Sequence, residues 1–309
     1  MKPIGRPAVT RQIRYQALLR VRRELKRQGW KTGWRPINEV LYPKIPTRLT
    51  QESLASWKAW HSKRQEKRLQ KNRMKIDVLG SDVIWVEDST HLGRIGKKGV
   101  MGEVVKDRGT LANVAVVVGE TMKGRDVVEI LEVKKGEGRL PLVWATDNGS
   151  AYKSGEVSSF CRREKMIHLF SRPHTPQDNA SAERVIGELK AESGLGKGVV
   201  LRAEQEAALR LTQVIHLLEH RPRASKGYQT AVQLENSLLK GPQMVGREQF
   251  YAEACRNVEK AIQGGGTTRQ RRQNERMAIY QTLEKFQLIK VTRGGKLTLL
   301  NQEKAEDIL

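Results

Sequence analysis

The spacing of apolar residues from residue 82 onward limits this chain to a small set of folds. Short Val-rich runs such as DVIWVEDST and LANVAVVVGE are separated by Gly and Lys, and longer segments such as RDVVEILEVKK repeat apolar residues every three or four positions. The first pattern predicts strands and the second predicts helices. Up to residue 223 the predicted order is three strands, a helix, a strand, a helix, a strand and two helices. This order predicts an α/β domain with a mixed sheet flanked by helices.

Acidic residues stand where two of these strands end and where a later helix begins. Asp88 lies near the end of the first predicted strand, Asp147 follows the fourth, and Glu183 lies in the first turns of the helix after the fifth. The element order is that of the ribonuclease-H-like fold, with the first strand central and the fourth beside it, so the acids can meet at one edge. Three carboxylates there would repel one another, and divalent cations that prefer oxygen ligands are the usual remedy. The pattern predicts a metal site, although Asp147 with Asn148 and Gly149 would also suit an ordinary turn.

The residues around these acids carry a family resemblance. Thirty-five residues separate Asp147 from Glu183. A Trp stands three positions before Asp88 and a Thr two positions after it, Asn-Gly-Ser follows Asp147, and a Pro and an Asn precede Glu183. The matching residues are Trp85, Thr90, Asn148, Gly149, Ser150, Pro176 and Asn179, with Leu189 and Lys190 further along. Over about residues 80 to 235 the chain resembles the D,D-35-E transposases and integrases, particularly insertion-sequence transposases with a retroviral-integrase-type catalytic core.

Glu87 is a competing candidate for the first acid, because it stands directly beside Asp88. Successive side chains of a strand point to opposite faces of the sheet, so only one of the two can lie on the face of the site. Only Asp88 keeps the spacing from Trp85 that the family shows. We therefore predict Asp88 as the first of three catalytic acids, together with Asp147 and Glu183.

The resemblance implies a DNA transposase, which is a polynucleotidyl transferase and endonuclease that cuts the ends of its own element and joins them to target DNA. It implies that Asp88, Asp147 and Glu183 hold two Mg²⁺ ions, for which Mn²⁺ can substitute. The implied partners are double-stranded DNA, as terminal repeats and target, and further copies of the chain in a homo-oligomer. Two other classes stay open: a DNA-binding regulator or target-capture factor that retains the fold without catalysis, and a structure-specific nuclease that cleaves without joining.

Two further residues of the matched segment are candidate DNA contacts. Lys190 stands two helical turns after Glu183 and on the same face of the predicted helix, where the resemblance supports a contact with phosphate. An exposed lysine on a polar helix face is the alternative. Asn179 can cap the helix that carries Glu183 or contact the substrate.

Positive charge is concentrated at the two ends of the chain. Of the formal net charge of +23, residues 1–75 hold +17 and residues 240–309 hold +5, which leaves +1 for residues 76–239. Such cationic ends favour a nucleic acid as the partner, with a merely solvated surface as the alternative. We predict a basic DNA-binding domain of helix-turn-helix type over 1–75, the ribonuclease-H-like catalytic core over 76–239 and a mainly helical region over 240–309.

Basic residues on the predicted helices of both ends are the remaining candidate DNA contacts. An ordinary helical bundle would fit residues 1–75 nearly as well as a helix-turn-helix domain. In the C-terminal region, GGGTTRQRRQ predicts a flexible basic linker between two helices, and alternation around Gly294 and Gly295 predicts a hairpin that could form a small wing. The candidate contacts are Arg22, Arg23, Lys58, Lys63, Arg64, Arg271 and Arg272.

The cysteine content and the lack of long apolar runs bear on the compartment. Two cysteines, Cys161 and Cys255, offer neither a disulfide framework nor a Cys-rich zinc site. No run of the sequence approaches the roughly 18 apolar residues that a membrane span needs. We expect a cytoplasmic protein that associates with the nucleoid and has no membrane partner.

Overall fold

The computed structural model describes residues 74–172, 180–293 and 296–297, together with Arg23 and Arg27. The chain divides into two compact units, Met1–Met74 with Arg293–Lys296 and Lys75–Thr292 with Leu297–Leu309. Nearly all described residues belong to the second unit. Arg23 is helical and exposed. The other N-terminal candidate contacts lie outside the described residues, namely Arg22, Lys58, Lys63 and Arg64. The helix-turn-helix domain and the domain boundaries therefore stay predictions.

Between residues 84 and 219 the strands and helices follow the order predicted from the apolar pattern. The strands of the described part are β1 (Met74–Val78), β2 (Ile84–Ile95), β3 (Lys98–Asp107), β4 (Asn113–Gly119), β5 (Val143–Thr146), β6 (Ile167–Phe170), β7 (Ile289–Arg293) and β8 (Lys296–Leu297). The helices of this part are α1 (Gly124–Gly136), α2 (Gly155–Arg163), α3 (Ala180–Ser193), α4 (Glu204–Glu219), α5 (Ala231–Ser237), α6 (Gly241–Met244), α7 (Arg247–Ile262) and α8 (Thr268–Lys285).

The core of the second unit is a five-stranded mixed sheet in the order β4-β3-β2-β5-β6. β2 pairs antiparallel with β3, and β3 pairs antiparallel with β4. β5 lies parallel to β2 on its other side, and β6 lies parallel to β5. The first strand of this sheet is therefore central and the fourth in sequence lies beside it, which confirms the predicted ribonuclease-H-like core.

Alternating residues of the central strands point into two separate hydrophobic cores. On one face, Trp85 and Trp144 pack with residues of α1 and α2. On the other face, Leu92 and Val104 pack with residues of α3 and α4. Because both faces are covered, the strands read as nearly continuous apolar runs, and a polar side chain within them either finds a partner or lies at an edge.

The C-terminal region differs in one respect from the sequence-based prediction. The second half of the predicted linker, residues 264–273, is helical, because α8 begins at Thr268. The side chain of Thr267 accepts the backbone N–H of Gln270 at 3.3 Å, and the Gln270 side chain accepts the backbone N–H of Thr267 at 2.9 Å. This capping box satisfies two backbone donors and starts the helix inside the basic run.

The predicted hairpin near the C-terminus is confirmed, because β7 and β8 are neighbours in a three-stranded sheet of order β1-β7-β8. Gly294 and Gly295 lie outside the described residues, and a wing stays a prediction. The strand β1 was not predicted, since it follows directly on a strongly basic run. No helix in the described residues has the length and apolar character that crossing a membrane requires.

Candidate active site

Asp88 lies on the central strand β2, on the face that carries α3. It pairs across the sheet with Val104, whose side chain packs in the core beneath α3 and α4. The backbone N–H of Ser89 donates to Asp88 Oδ1 at 3.0 Å. Burial and then the negative charge of Asp147 raise the pKa of Asp88 to about 7, and the charges of Glu103 and Glu183 act in the same direction. The structure thus places the three predicted acids near enough for the charges of two to act on the third.

Asp147 directly follows β5, so it lies at the carboxyl edge of the sheet beside β2. Its Oδ1 accepts the backbone N–H of Gly149 at 2.7 Å. The next residue is held to β6, since Asn148 Nδ2 donates to the carbonyl oxygen of Ser171 at 2.7 Å. A Cβ atom at Gly149 would stand 3.0 Å from Asp147 Oδ1 and crowd the ring of Tyr152. The Asp-Asn-Gly sequence is therefore an ordinary tight turn that also fixes the rotation of a carboxyl group.

Glu183 is exposed in the first turn of α3. The helix is seated by Val185, Ile186 and Leu189, which are buried against β2 and β3. Two ion pairs hold the outer side of α3 to the segment after α4, Arg221 to Glu192 at 2.7 Å and Arg223 to Glu188 at 2.9 Å. The two arginines of the Arg-Pro-Arg sequence therefore stabilise the position of the helix that carries Glu183. The sequence spacing of the acids does not indicate this role.

The donor set at this edge suits a hard divalent cation, since it consists of carboxylate oxygens without sulfur or imidazole. Within the described residues, no three side chains of His, Cys, Asp or Glu are arranged so that they could hold a metal ion as they stand. The link between the acids is electrostatic: burial and the negative charges of Asp147, Glu103 and Glu183 disfavour ionised Asp88, and a bound cation would offset them.

Glu87 lies on the opposite face of β2 from Asp88, as strand alternation predicts. It is 0% exposed, and Trp144 Nε1 donates to its Oε2 at 2.8 Å. Burial raises the pKa of Glu87 well above its usual value, and the negative charge of Glu103 adds to this effect. Glu87 is thus sealed in the core beneath α1 and α2, away from the face that carries α3.

Glu103 and Tyr152 belong to the surroundings of the site but were missed by the sequence analysis. The Tyr152 hydroxyl donates to Glu103 Oε1, and both side chains are buried. Together with Ser89, Asp147 and Gly149 they line a small cavity beside the Asp147 turn. The one available signal was a glutamate inside the Val-rich run of β3, where a buried acid needs a partner.

The predicted DNA contacts of the described part lie in different environments. Lys190 is half-buried on α3, and Arg271 is exposed on α8. Arg272 already has internal partners, because its guanidinium lies 4.7 Å from the Phe170 ring centroid and 2.8 Å from Glu275. Asn179 lies outside the described residues. A contact of any of these residues with DNA stays a prediction.

Comparison with known proteins finds relatives among retroviral polyproteins. No protein-family model matches the chain. Over 110 residues, 36% of the chain, it is 30% identical to the Gag-Pro-Pol polyprotein of mouse mammary tumor virus (strain BR6). Over 108 residues, 35% of the chain, it is 31% identical to the Intracisternal A-particle Pol-related polyprotein of mouse intracisternal a-particle MIA14. The chain spans only 6% and 12% of the lengths of these polyproteins.

Among solved structures, the HTLV-2 integrase catalytic core domain in complex with magnesium matches 52% of this chain and 99% of its own, with a TM-score of 0.40 and 20% identity. The simian T-cell lymphotropic virus intasome in complex with PP2A regulatory subunit B56 gamma matches 70% of this chain and 74% of its own, with a TM-score of 0.43 and 18% identity. The sheet topology and the similarity to Pol polyproteins together support a core of the integrase type.

Proposed function

We propose that the chain is a DNA transposase that cuts the ends of its own element and joins them to target DNA. The observation that carries the proposal is the placement of three acids with the D,D-35-E spacing, because the charges of Asp147 and Glu183 both act on Asp88 at one edge of the sheet. Sequence similarity to retroviral Pol polyproteins over about a third of the chain supports it.

The carboxylates of Asp88, Asp147 and Glu183 would hold two Mg²⁺ ions, with Mn²⁺ as a substitute. When bound, such ions stabilise the developing charge on a phosphodiester and activate an attacking oxygen. The backbone N–H groups of Ser89 and Gly149 each donate to one carboxyl oxygen, so that Asp88 and Asp147 are oriented before substrate arrives. Water would attack in the cutting step, and a DNA 3′-hydroxyl would attack in the joining step.

The same function sets the proposed partners and place of the chain. Element ends and target are both double-stranded DNA, and the resemblance to transposases and integrases implies that several copies of the chain bridge two ends. We therefore propose a homo-oligomer on DNA, in the cytoplasm and associated with the nucleoid, with the N-terminal domain reading the terminal repeats.

The test uses the purified full-length chain with Mg²⁺, a supercoiled target plasmid and a linear duplex that carries the DNA flanking its coding sequence. We expect cut ends with free 3′-hydroxyls and products in which these ends are joined to the plasmid. Cutting without any joining would indicate a nuclease of the same fold. Specific binding without cutting, in Mg²⁺ and in Mn²⁺, would contradict the proposal and indicate a regulator or target-capture factor.

A further inference from the structure

Helix α8 is docked on the carboxyl end of β6, next to the strand that leads to Asp147. Arg276 Nη2 donates to the carbonyl oxygen of Phe170 at 3.2 Å, and the Arg272 guanidinium lies over the Phe170 ring. Further along, Arg172 Nη1 donates to Gln273 Oε1. The second half of the predicted flexible linker is therefore part of a helix that is held against the end of β6.

These contacts also give the direction of α8 relative to β6. Phe170, at the carboxyl end of β6, contacts Arg272 and Arg276 in the first half of α8. Leu288, three residues after α8 ends, accepts the backbone N–H of Leu79 at 3.0 Å, ahead of the amino end of β2, and β2, β5 and β6 run parallel. The helix therefore runs against β6, and its N-terminal turn extends past the carboxyl edge. Arg269 precedes Gln273 by four residues, which places it on the same stripe of the helix and about 6 Å further along the axis.

The acidic edge lies at the same level of the sheet. β5 and β6 are parallel and in register, with Thr146 opposite Phe170, so Asp147 stands opposite the residue that follows Phe170. The bond from Asn148 Nδ2 to the Ser171 carbonyl oxygen joins the two strand ends directly. Arg269 thus extends beyond the sheet on the same side as the proposed catalytic acids, one strand away from Asp147.

The charge of Arg269 is not compensated within the described part of the chain. Arg269 is exposed, and among described residues no carboxylate forms an ion pair with it, whereas Arg272 on the next turn is paired with Glu275. The first turn of α8 contains no acidic residue. A positive side chain near a helix N-terminus is disfavoured by the helix dipole, so this placement costs stability unless an anion binds nearby.

We propose that Arg269 contacts a backbone phosphate of the DNA strand whose phosphodiester lies at the acidic edge, so that α8 forms one wall of the substrate channel. This inference rests on the proposed function and deepens it. It assigns the C-terminal basic segment to substrate binding beside the acids, instead of to recognition of terminal repeats. Arg272 instead helps to hold α8 in place, since its guanidinium lies over the Phe170 ring and pairs with Glu275.

The matched control is Arg256 on α7. It is exposed, and its one ion pair in the described residues is with Glu253, which also pairs with Lys285 at the far end of α8. Lys285 is 16 residues from Arg269, about 24 Å along the helix axis. Arg256→Gln therefore removes one positive charge from the same compact unit of the protein, far from the proposed contact.

The experiment measures binding of the full-length chain to an element-end duplex from 50 to 200 mM KCl. Each phosphate contact contributes about 0.9 to the slope of log affinity against log salt. Between 50 and 200 mM KCl, the affinity of Arg269→Gln should therefore fall by a factor about 3.5 times smaller than that of the wild type. Arg269→Lys should keep the wild-type slope, and Arg256→Gln should leave it unchanged. An Arg269→Gln slope equal to that of the wild type, or an equal loss in Arg256→Gln, would overturn the inference. Cutting and joining by the wild type on the same duplex is scored separately, so a failure of the proposed function remains distinguishable from a failure of this contact.

Discussion

Asp88 and Glu87 are neighbours in the sequence, yet they belong to two different regions of the molecule. Asp88 is half-exposed on the face of β2 that carries α3, and the charges of Asp147 and Glu183 reach it. Glu87 is wholly buried on the face that carries α1 and α2, where Trp144 donates to it. One step along a strand therefore separates an acid that a cation could reach from an acid that is closed off.

Burial raises the pKa of both residues, but the consequences differ. At the open edge, a divalent cation can replace the proton and restore the charge of Asp88. Glu87 is 0% exposed in the core, so burial favours the protonated form of its carboxyl group. A raised pKa alone therefore does not identify a catalytic acid, because a cation must also be able to reach the carboxyl group.

The largest expected effect separates the two acids by activity. Asp88→Asn, Asp147→Asn and Glu183→Gln should each lower cutting and joining by roughly 1,000-fold or more, since a loss of several kcal/mol of metal-assisted stabilisation has this size. DNA binding should persist, because residues 1–75 hold +17 of the net charge of +23. Gel-based assays of cutting, joining and binding measure all three. Full joining by Asp88→Asn together with an inactive Glu87→Gln would reverse the assignment.

The next effect concerns the hydrogen bond that joins the Asp147 turn to β3. Tyr152→Phe keeps the ring but removes the hydroxyl that donates to buried Glu103, so the free energy of unfolding should fall by about 1–3 kcal/mol. Joining should be reduced less than in the acid variants, because the ring still supports Gly149. Tyr228→Phe is the control, since Tyr228 is 73% exposed and its hydroxyl loss should change stability by less than about 0.5 kcal/mol. Equal unfolding midpoints in urea for the two variants would show that the buried bond is not stabilising.

A smaller effect is expected in the pH dependence of metal binding at the open edge. The pKa of Asp88 is raised to about 7 in the metal-free protein, so below this pH a proton occupies the group and must leave when Mg²⁺ binds. The apparent affinity for Mg²⁺ should fall by up to about tenfold per pH unit below 7 and level off above 8. Calorimetry in buffers of different ionisation enthalpy measures the protons released. A pH-independent affinity between 5.5 and 8, or activity that needs added zinc or survives a chelator, would contradict a carboxylate site for Mg²⁺ or Mn²⁺.

The sequence predicts the face of β2 that carries Asp88 better than the face that carries Glu87. Strand alternation places Asp88 and Glu87 on opposite faces, and the element order brings the strands of Asp88 and Asp147 together. Periodicity does not show which side chains meet across a sheet, because the register of β2 and β3 also depends on the two-residue turn after Ile95 and on the irregularity between His91 and Gly93. Glu103 was therefore missed as the neighbour of Glu87, and so was its bond with Tyr152.

The start of α8 was wrongly predicted for a related reason. Gly and basic residues around Arg269 suggest a linker, whereas the capping box of Thr267 and Gln270 and the contacts with β6 stabilise a helix there. Local propensity is a weak guide where tertiary contacts supply the stability. The ion pairs of Arg221 and Arg223 with α3 likewise depend on the packed structure, although the Arg-Pro-Arg segment is visible in the sequence.

The smallest expected effect tests the closed face itself, through Glu87→Gln. The pKa of Glu87 is raised in the folded protein, so the stability that its proton provides is full below the unfolded value of about 4.5 and is lost as pH rises through the folded value. Glutamine resembles the protonated acid, keeps an oxygen for Trp144 Nε1 and does not titrate. At pH 5 the variant should therefore lie within about 1 kcal/mol of the wild type. At pH 8 it should be at least as stable as the wild type, while joining activity stays unchanged.

Urea unfolding at the two pH values measures this, and a variant that loses more stability at pH 8 than at pH 5 would show that Glu87 is ionised in the folded core. That result would remove the distinction between the two faces of β2, because both neighbouring acids would then carry charge.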